Sequence, residues 1–168
     1  GKTKIKDFFI GIKDAIIFAF STSSSSATIP VTLKSLEENL KIRKKIASFT
    51  VPLGATINMD GTAIMQGCAT FFLASLYGID LGFFEIITIV ATATIASVGT
   101  AGIPSAGIIM LTIIFTQIGI PLEGITLLLG VDRLLDMMRT SVNVSGDLCI
   151  SCIVASSENK IDSDVYKS

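Results

Sequence analysis

The 168-residue chain contains no histidine and no tryptophan. A Ser-His-Asp hydrolase, a His-ligated metal site and a His proton relay are therefore excluded, since each needs an imidazole. Charge is also scarce. Asp, Glu, Lys and Arg supply 16% of the residues, where an ordinary soluble domain carries about 25%. No Lys or Arg lies between Lys45 and Arg133, and the acids over 46–132 are Asp60, Asp80, Glu85, Glu123 and Asp132. Half of all residues are hydrophobic and the mean hydropathy is +0.71. No ordinary soluble surface has this composition, so a polytopic membrane segment is expected. A net charge of −1 leaves nucleic-acid binding without an electrostatic basis. There are three cysteines, and Cys149-Ile150-Ser151-Cys152 is a C-x-x-C. With no second pair and no histidine it is read as packing, not as a redox or metal motif.

Gly1 is not a start methionine, and GKTKIK is followed by no signal-cleavage pattern. The chain is expected to continue a longer protein.

What is present is a series of short apolar segments with polar interruptions. Residues 5–21 are apolar but short of the roughly 20 residues a span needs. A serine run and Ala27-Thr28-Ile29-Pro30 follow, then a second apolar arm over 29–40 and a basic cluster, Lys41, Arg43, Lys44 and Lys45. Two arms about a Pro-marked polar tip read as a re-entrant helical hairpin, in preference to a Ser-rich linker. Residues 46–77 form a long apolar segment broken by Thr56-Ile57-Asn58-Met59-Asp60-Gly61-Thr62. Its flanks are too short to span alone, so an interrupted span is favoured over a loop joining two helices. A broken helix frees carbonyls that can bind a cation. The hairpin design recurs over 84–118, around a Gly-rich tip expected to take left-handed backbone angles. Residues 122–155 form the last span, and 156–168 a polar tail.

Ala27-Thr28-Ile29-Pro30 and Ala101-Gly102-Ile103-Pro104 share Ala-x-Ile-Pro, so hairpin plus span occurs twice. Basic residues gather at 2–13 and 34–45, and are absent from 78–85 and 119–123. The positive-inside rule puts the first hairpin's opening in the cytoplasm, which makes the two repeats inverted. The fold class expected is all-α and membranous, with two re-entrant hairpins and two interrupted transmembrane helices.

The last span carries Asp132, Asp136, Arg139, Asn143 and Asp147 within a sector of about 80° of a helix, with Thr140 at its edge. Each ionised group at mid-membrane costs about 2.5–3.5 kcal/mol on insertion scales. A structural ion-pair network is one reading, with Asp136–Arg139 as an i,i+3 pair. A net-acidic stripe suits a cation and substrate site better. Arg139 offers a fork for a carboxylate, and Asp136 can hold an ammonium. Asn143 and Thr140 can donate to a second carboxylate. Asp60 and Asp147, with freed carbonyls, are hard oxygen ligands suited to Na⁺.

Ser23-Ser24-Ser25-Ser26-Ala27-Thr28-Ile29-Pro30, Asn58-Met59-Asp60-Gly61-Thr62, Ser97-Val98-Gly99-Thr100-Ala101-Gly102-Ile103-Pro104 and Asp136-Met137-Met138-Arg139-Thr140 with Asn143 and Asp147 carry a resemblance. They resemble the dicarboxylate/amino acid:cation symporters, the sodium-coupled glutamate/aspartate transporters, over residues 5–155. The resemblance implies that residues 1–155 are the C-terminal part of a transport domain. Its parts are hairpin 1 (5–40), span 7 (46–77), hairpin 2 (84–118) and span 8 (122–155), with 156–168 as a cytoplasmic tail. It implies a substrate site of Ser24, Ser25, Thr62, Ile103, Gly107, Asp136, Arg139, Thr140 and Asn143. Gly54, Asn58, Asn143 and Asp147 match one sodium site. Thr56 with backbone of Ser97, Val98 and Thr100 matches a second, and Asn58 and Asp60 part of a third. Na⁺ is then the coupled ion, with no organic cofactor and no enzymatic activity. The partners implied are an acidic amino acid, the lipid bilayer, N-terminal spans absent from this chain, and two more copies in a homotrimer. The place is the cell membrane, multi-pass. Members usually carry a second arginine beside the hairpin 1 serines or just after the span 8 aspartate; here those positions are Ser23 and Met137. The competing readings are a C4-dicarboxylate:cation symporter, a pore, and a truncated fragment without transport activity.

Overall fold

The interruptions in the apolar pattern end helices. The computed structural model describes residues 5–158, which are largely helical and hold no β-strand. Helix α1 (Ile5–Thr22) turns through Ser23 and Ser24 into α2 (Ser25–Lys34), which continues as a π-helical turn, Ser35–Asn39. Helices α3 (Lys44–Ile57) and α4 (Asp60–Leu76) are separated by Asn58 and Met59. Helices α5 (Phe83–Val98) and α6 (Ala106–Ile118) flank the irregular tip 99–105. A 3-10 turn, Leu122–Gly124, and the short α7 (Ile125–Leu129) lead to α8 (Asp132–Ser157).

Several local expectations change. The serine run is a helix cap, not a long tip: Ser24 Oγ accepts from Ala27 N–H at 3.1 Å, which starts α2 before the proline is reached. Pro30 therefore lies in the middle of α2, where it forfeits one backbone bond. Ala101–Pro104 instead lies in the irregular tip, so the two Ala-x-Ile-Pro copies occupy different backbone settings. The Gly-rich tip takes its left-handed angle at Ser105 (φ 61°), whereas Gly99 has φ −88°. Among the described residues the positive-φ glycines are Gly78 and Gly119, both outside that tip. The last segment breaks at Gly130 and Val131, leaving the whole polar stripe on the continuous α8. Of the expected tail, Ser156 and Ser157 belong to α8, and 159–168 lies outside the described residues.

Among the described residues no helix is long and apolar enough to cross a membrane. The cause is visible in the pieces. Helices α3 to α6 have 13–17 residues each, and the 26-residue α8, about 39 Å long, carries Asp132, Arg133, Asp136, Arg139 and Asp147.

Helix α8 is the spine, packing against α1, α2, α3 and α4. Among the described residues there are two apolar cores, the first of which includes α8. One joins Ile12, Ala15 and Ala19 of α1 to Leu36, Val51 of α3, and Val144 and Leu148 of α8. The other joins Leu73 of α4, Ile89 of α5, Leu111, Ile114 and Phe115 of α6, and Leu128. The outer faces stay apolar: Phe83, Phe84 and Ile95 are 73–78% exposed. A monomer in water rarely leaves such faces bare.

Candidate functional site

The polar residues of α8 are all turned inward: Asp132, Asp136, Arg139, Thr140, Asn143 and Asp147 are each at most 6% exposed. Successive residues along the helix meet successive parts of the fold. Asp132 Oδ2 accepts from Ser105 Oγ at 2.7 Å, and Asp136 Oδ2 from Ser105 N–H at 2.8 Å. Arg139 Nη2 donates to Asp136 Oδ1 in a buried ion pair. Arg139 Nε and Nη1 are buried without a partner. A buried guanidinium with idle donors costs free energy unless an acceptor arrives. Gly107, at the start of α6, lets this guanidinium lie against the backbone, since a Cβ there would collide with Nη1.

Beside Arg139 is a cavity of about 10 Å³, room for one water at most. Its walls include Ser23 and Ser25 from the first helix pair, Ala101, Gly102 and Ile103 from the second, Thr62, and Arg139, Thr140 and Asn143. The two tips close over it: Ser24 Oγ donates to Gly102 O at 2.7 Å and Ser26 N–H to the same carbonyl at 3.2 Å. All nine residues expected at a substrate site thus fall around this point. Six of them (Ser25, Thr62, Ile103, Arg139, Thr140 and Asn143) line the cavity itself. Ser24 binds tip to tip, while Gly107 and Asp136 back Arg139.

One turn further along α8, Asn143 caps the start of α4. Its Oδ1 accepts from Gly61 N–H (2.8 Å) and Thr62 N–H (3.3 Å), satisfying two donors freed where α3 and α4 separate. Its Nδ2 donates to Thr62 Oγ1 and approaches Met59 Sδ, both at 3.2 Å. Another turn on, Asp147 Oδ1 accepts from Asn58 Nδ2 at 2.9 Å. Gly54 is required here, because a Cβ would overlap Asp147 Oδ1. Gly54, Asn58, Asn143 and Asp147 therefore meet at the helix break. Asp60, itself exposed, comes close as well: its Oδ2 lies 3.2 Å from where a Cβ on Gly146 would be. The group offers carboxylate, amide and backbone oxygens, the hard donors an alkali cation takes.

The other expected ion-binding set is not drawn together by hydrogen bonds. Thr56 Oγ1 donates to Pro52 O, Ser97 Oγ to Thr94 O and Thr100 Oγ1 to Ala96 O, each within or at the end of its own helix. Val98 is 45% exposed. Among the described residues no three His, Cys, Asp or Glu side chains cluster as a metal site.

Three contributors were not assigned a role from sequence. Ser105 bonds both Asp132 and Asp136, Met59 is buried beside Asn143, and Gly61 supplies an N–H to it. Met59 and Gly61 lie inside the Asn-Met-Asp-Gly-Thr motif, which was the available signal. Nothing in the composition around Ser105 distinguishes it.

Known proteins are similar to this chain over most of its length. Over 140 residues, 83% of this chain, it is 54% identical to excitatory amino acid transporter 2 of Homo sapiens and 51% identical to excitatory amino acid transporter 1 of Ambystoma tigrinum. Those 140 residues are 24% and 26% of the two relatives, so the chain spans about a quarter of their length. The pattern of the sodium:dicarboxylate symporter family matches residues 1–157, and the chain belongs to that family of transporters.

Proposed function

We propose that the protein of which this chain is a C-terminal part couples the movement of an acidic amino acid to sodium across the cell membrane. The observation that carries the reading is Arg139: a buried guanidinium with two idle nitrogens beside a small polar cavity. Such a group calls for an anion with planar, paired oxygens, and a side-chain carboxylate supplies it. Asp136 lies one turn away and attracts the ammonium, while Ser25, Thr62, Thr140 and Asn143 line the cavity and serve the second carboxylate. Both similar proteins are named for excitatory amino acids, which supports the same substrate class.

Gly54, Asn58, Asn143 and Asp147 take one sodium ion at the α3–α4 break. Thr56 with Ser97, Val98 and Thr100 takes a second, and Asn58 with Asp60 part of a third. Ser97, Val98 and Thr100 of the second set lie at the tip-side end of α5, which contacts α3, the helix that carries Thr56, and the set draws together when the tip moves. The two helix pairs act as re-entrant hairpins, and α3–α4 and α7–α8 as interrupted spans of an inverted repeat. Broken, polar helices at membrane depth need surrounding protein. The remaining three quarters of the molecule supply it, in a homotrimer, and the bare apolar faces at Phe83, Phe84 and Ile95 meet that protein or lipid.

The test is uptake by full-length protein in liposomes under an imposed sodium gradient. Aspartate or glutamate should accumulate saturably and only with inward sodium. Arg139→Cys should abolish that uptake, because it removes the carboxylate's partner. Ohmic conductance without saturation would make the protein a pore, and undiminished acidic uptake in Arg139→Cys would remove Arg139 from the substrate site.

A further inference from the structure

We infer that Ser105 and Asp132 form a latch that sets how readily the α5–α6 tip lifts from the substrate cavity. The inference rests on the proposed function, which makes Ala101, Gly102 and Ile103 of that tip part of the substrate's cover. Among the described hydrogen bonds, the tip 99–105 is fastened to the rest of the fold at two points. One is Gly102 O, held by Ser24 and Ser26. The other is Ser105, whose N–H reaches Asp136 and whose hydroxyl reaches Asp132.

The second fastening has opposing forces built into it. Ser105 is held at φ 61°, a region that favours glycine and is strained for a residue with a Cβ. Lifting the tip relieves that strain, and the two bonds to carboxylates oppose it. The two bonds differ in their relation to the substrate. Asp136 is shared, since the substrate ammonium is drawn to the same carboxylate. Asp132 is four residues earlier, outside the cavity lining, so its bond to Ser105 reports closure of the tip alone. Asp132 is 6% exposed and its Oδ1 has no partner, so the carboxylate depends on Ser105 for its described side-chain bond. Ser105 is itself exposed, at the rim where an opening tip would move. Asp132 is thus a positioning residue that acts through Ser105.

The experiment follows dissociation of radiolabelled aspartate from sodium-loaded full-length protein after dilution. Ser105→Ala keeps the strained backbone and removes the hydroxyl, so dissociation should be about tenfold faster, as befits one lost bond to a charged group. Asp132→Ala should accelerate it similarly, and the double variant should be no faster than either single one. Asp132→Asn retains an oxygen acceptor without the charge and should restore part of the original rate. The thermal unfolding midpoint measured without substrate should stay nearly unchanged in Ser105→Ala, which a damaged fold would not allow. Should Asp132→Ala fail to fold, the exposed Ser105 position decides alone. An unaltered dissociation rate in Ser105→Ala, or additive effects in the double variant, overturns the latch while leaving the transport reading intact. Failure of the wild-type protein to bind any acidic amino acid with sodium overturns both.

Discussion

Gly107→Ala is a small change with a sharply local consequence. The new methyl would fall on Arg139 Nη1 and lie 2.9 Å from both Arg139 Cζ and Met65 Cε. The backbone at Gly107 is ordinary helix, and alanine is worth up to about 1 kcal/mol over glycine in a helix interior. The fold is therefore not weakened by the backbone term. The guanidinium is what must give way, by roughly an ångström or more, away from the cavity. A bond to a charged group contributes about 1.5–3 kcal/mol. Losing one of the two proposed Arg139–carboxylate bonds should then weaken aspartate binding by about 10- to 150-fold. The assay is equilibrium binding of aspartate to purified full-length protein at saturating sodium, together with its thermal unfolding midpoint. Gly67→Ala is the control, because a Cβ there meets nothing within 4 Å. The expected pattern is a preserved or raised midpoint and a large affinity loss for Gly107→Ala, with neither altered binding nor instability for Gly67→Ala. Unchanged affinity in Gly107→Ala would refute the assignment of Arg139 to the substrate carboxylate.

Three further outcomes follow from the same geometry. Succinate lacks the ammonium proposed to pair with Asp136 and should compete with aspartate poorly; competition at comparable concentration would make the protein a dicarboxylate carrier. Asp147→Asn keeps the acceptor for Asn58 but removes the charge proposed to balance Na⁺, so aspartate affinity should fall at low sodium and largely recover in excess sodium. A loss that no sodium concentration repairs would move Asp147 out of the ion site. Thr50→Val removes a buried 2.7 Å bond to Ser151, which still donates to Asp147 O, and should cost roughly 1 kcal/mol of stability. Thermal unfolding should show a lower midpoint with aspartate affinity intact, and a loss of binding would show that the α3–α8 contact shapes the site.

Much of the candidate site was legible because helical periodicity is local. The spacing of Asp132, Asp136, Arg139, Asn143 and Asp147 puts them on one face whatever surrounds the helix, and all five are buried in α8. Asn58 and Gly61 marked a break because an Asn-Met-Asp-Gly run cannot sit comfortably in an apolar helix, and the break falls at Asn58–Met59. Less legible were the tips. A serine run, a proline and three glycines admit several backbones, and long-range bonds choose among them. Ser24 capping α2 moved Pro30 into a helix, and the pull of Asp132 and Asp136 put the left-handed angle on Ser105 instead of a glycine.

The amino-acid sequence alone determined the all-helical class, the inward polar face of α8 and the residue types able to meet a carboxylate, an ammonium and a hard cation. These depend on composition and on intervals of three and four residues. Only the tertiary structure decided that Arg139 pairs with Asp136 and keeps two nitrogens idle, that Asn143 caps α4, and that Ser24 closes on Gly102 across 78 residues of chain. Those are contacts between distant segments, and their partners are chosen by how the helices pack on one another.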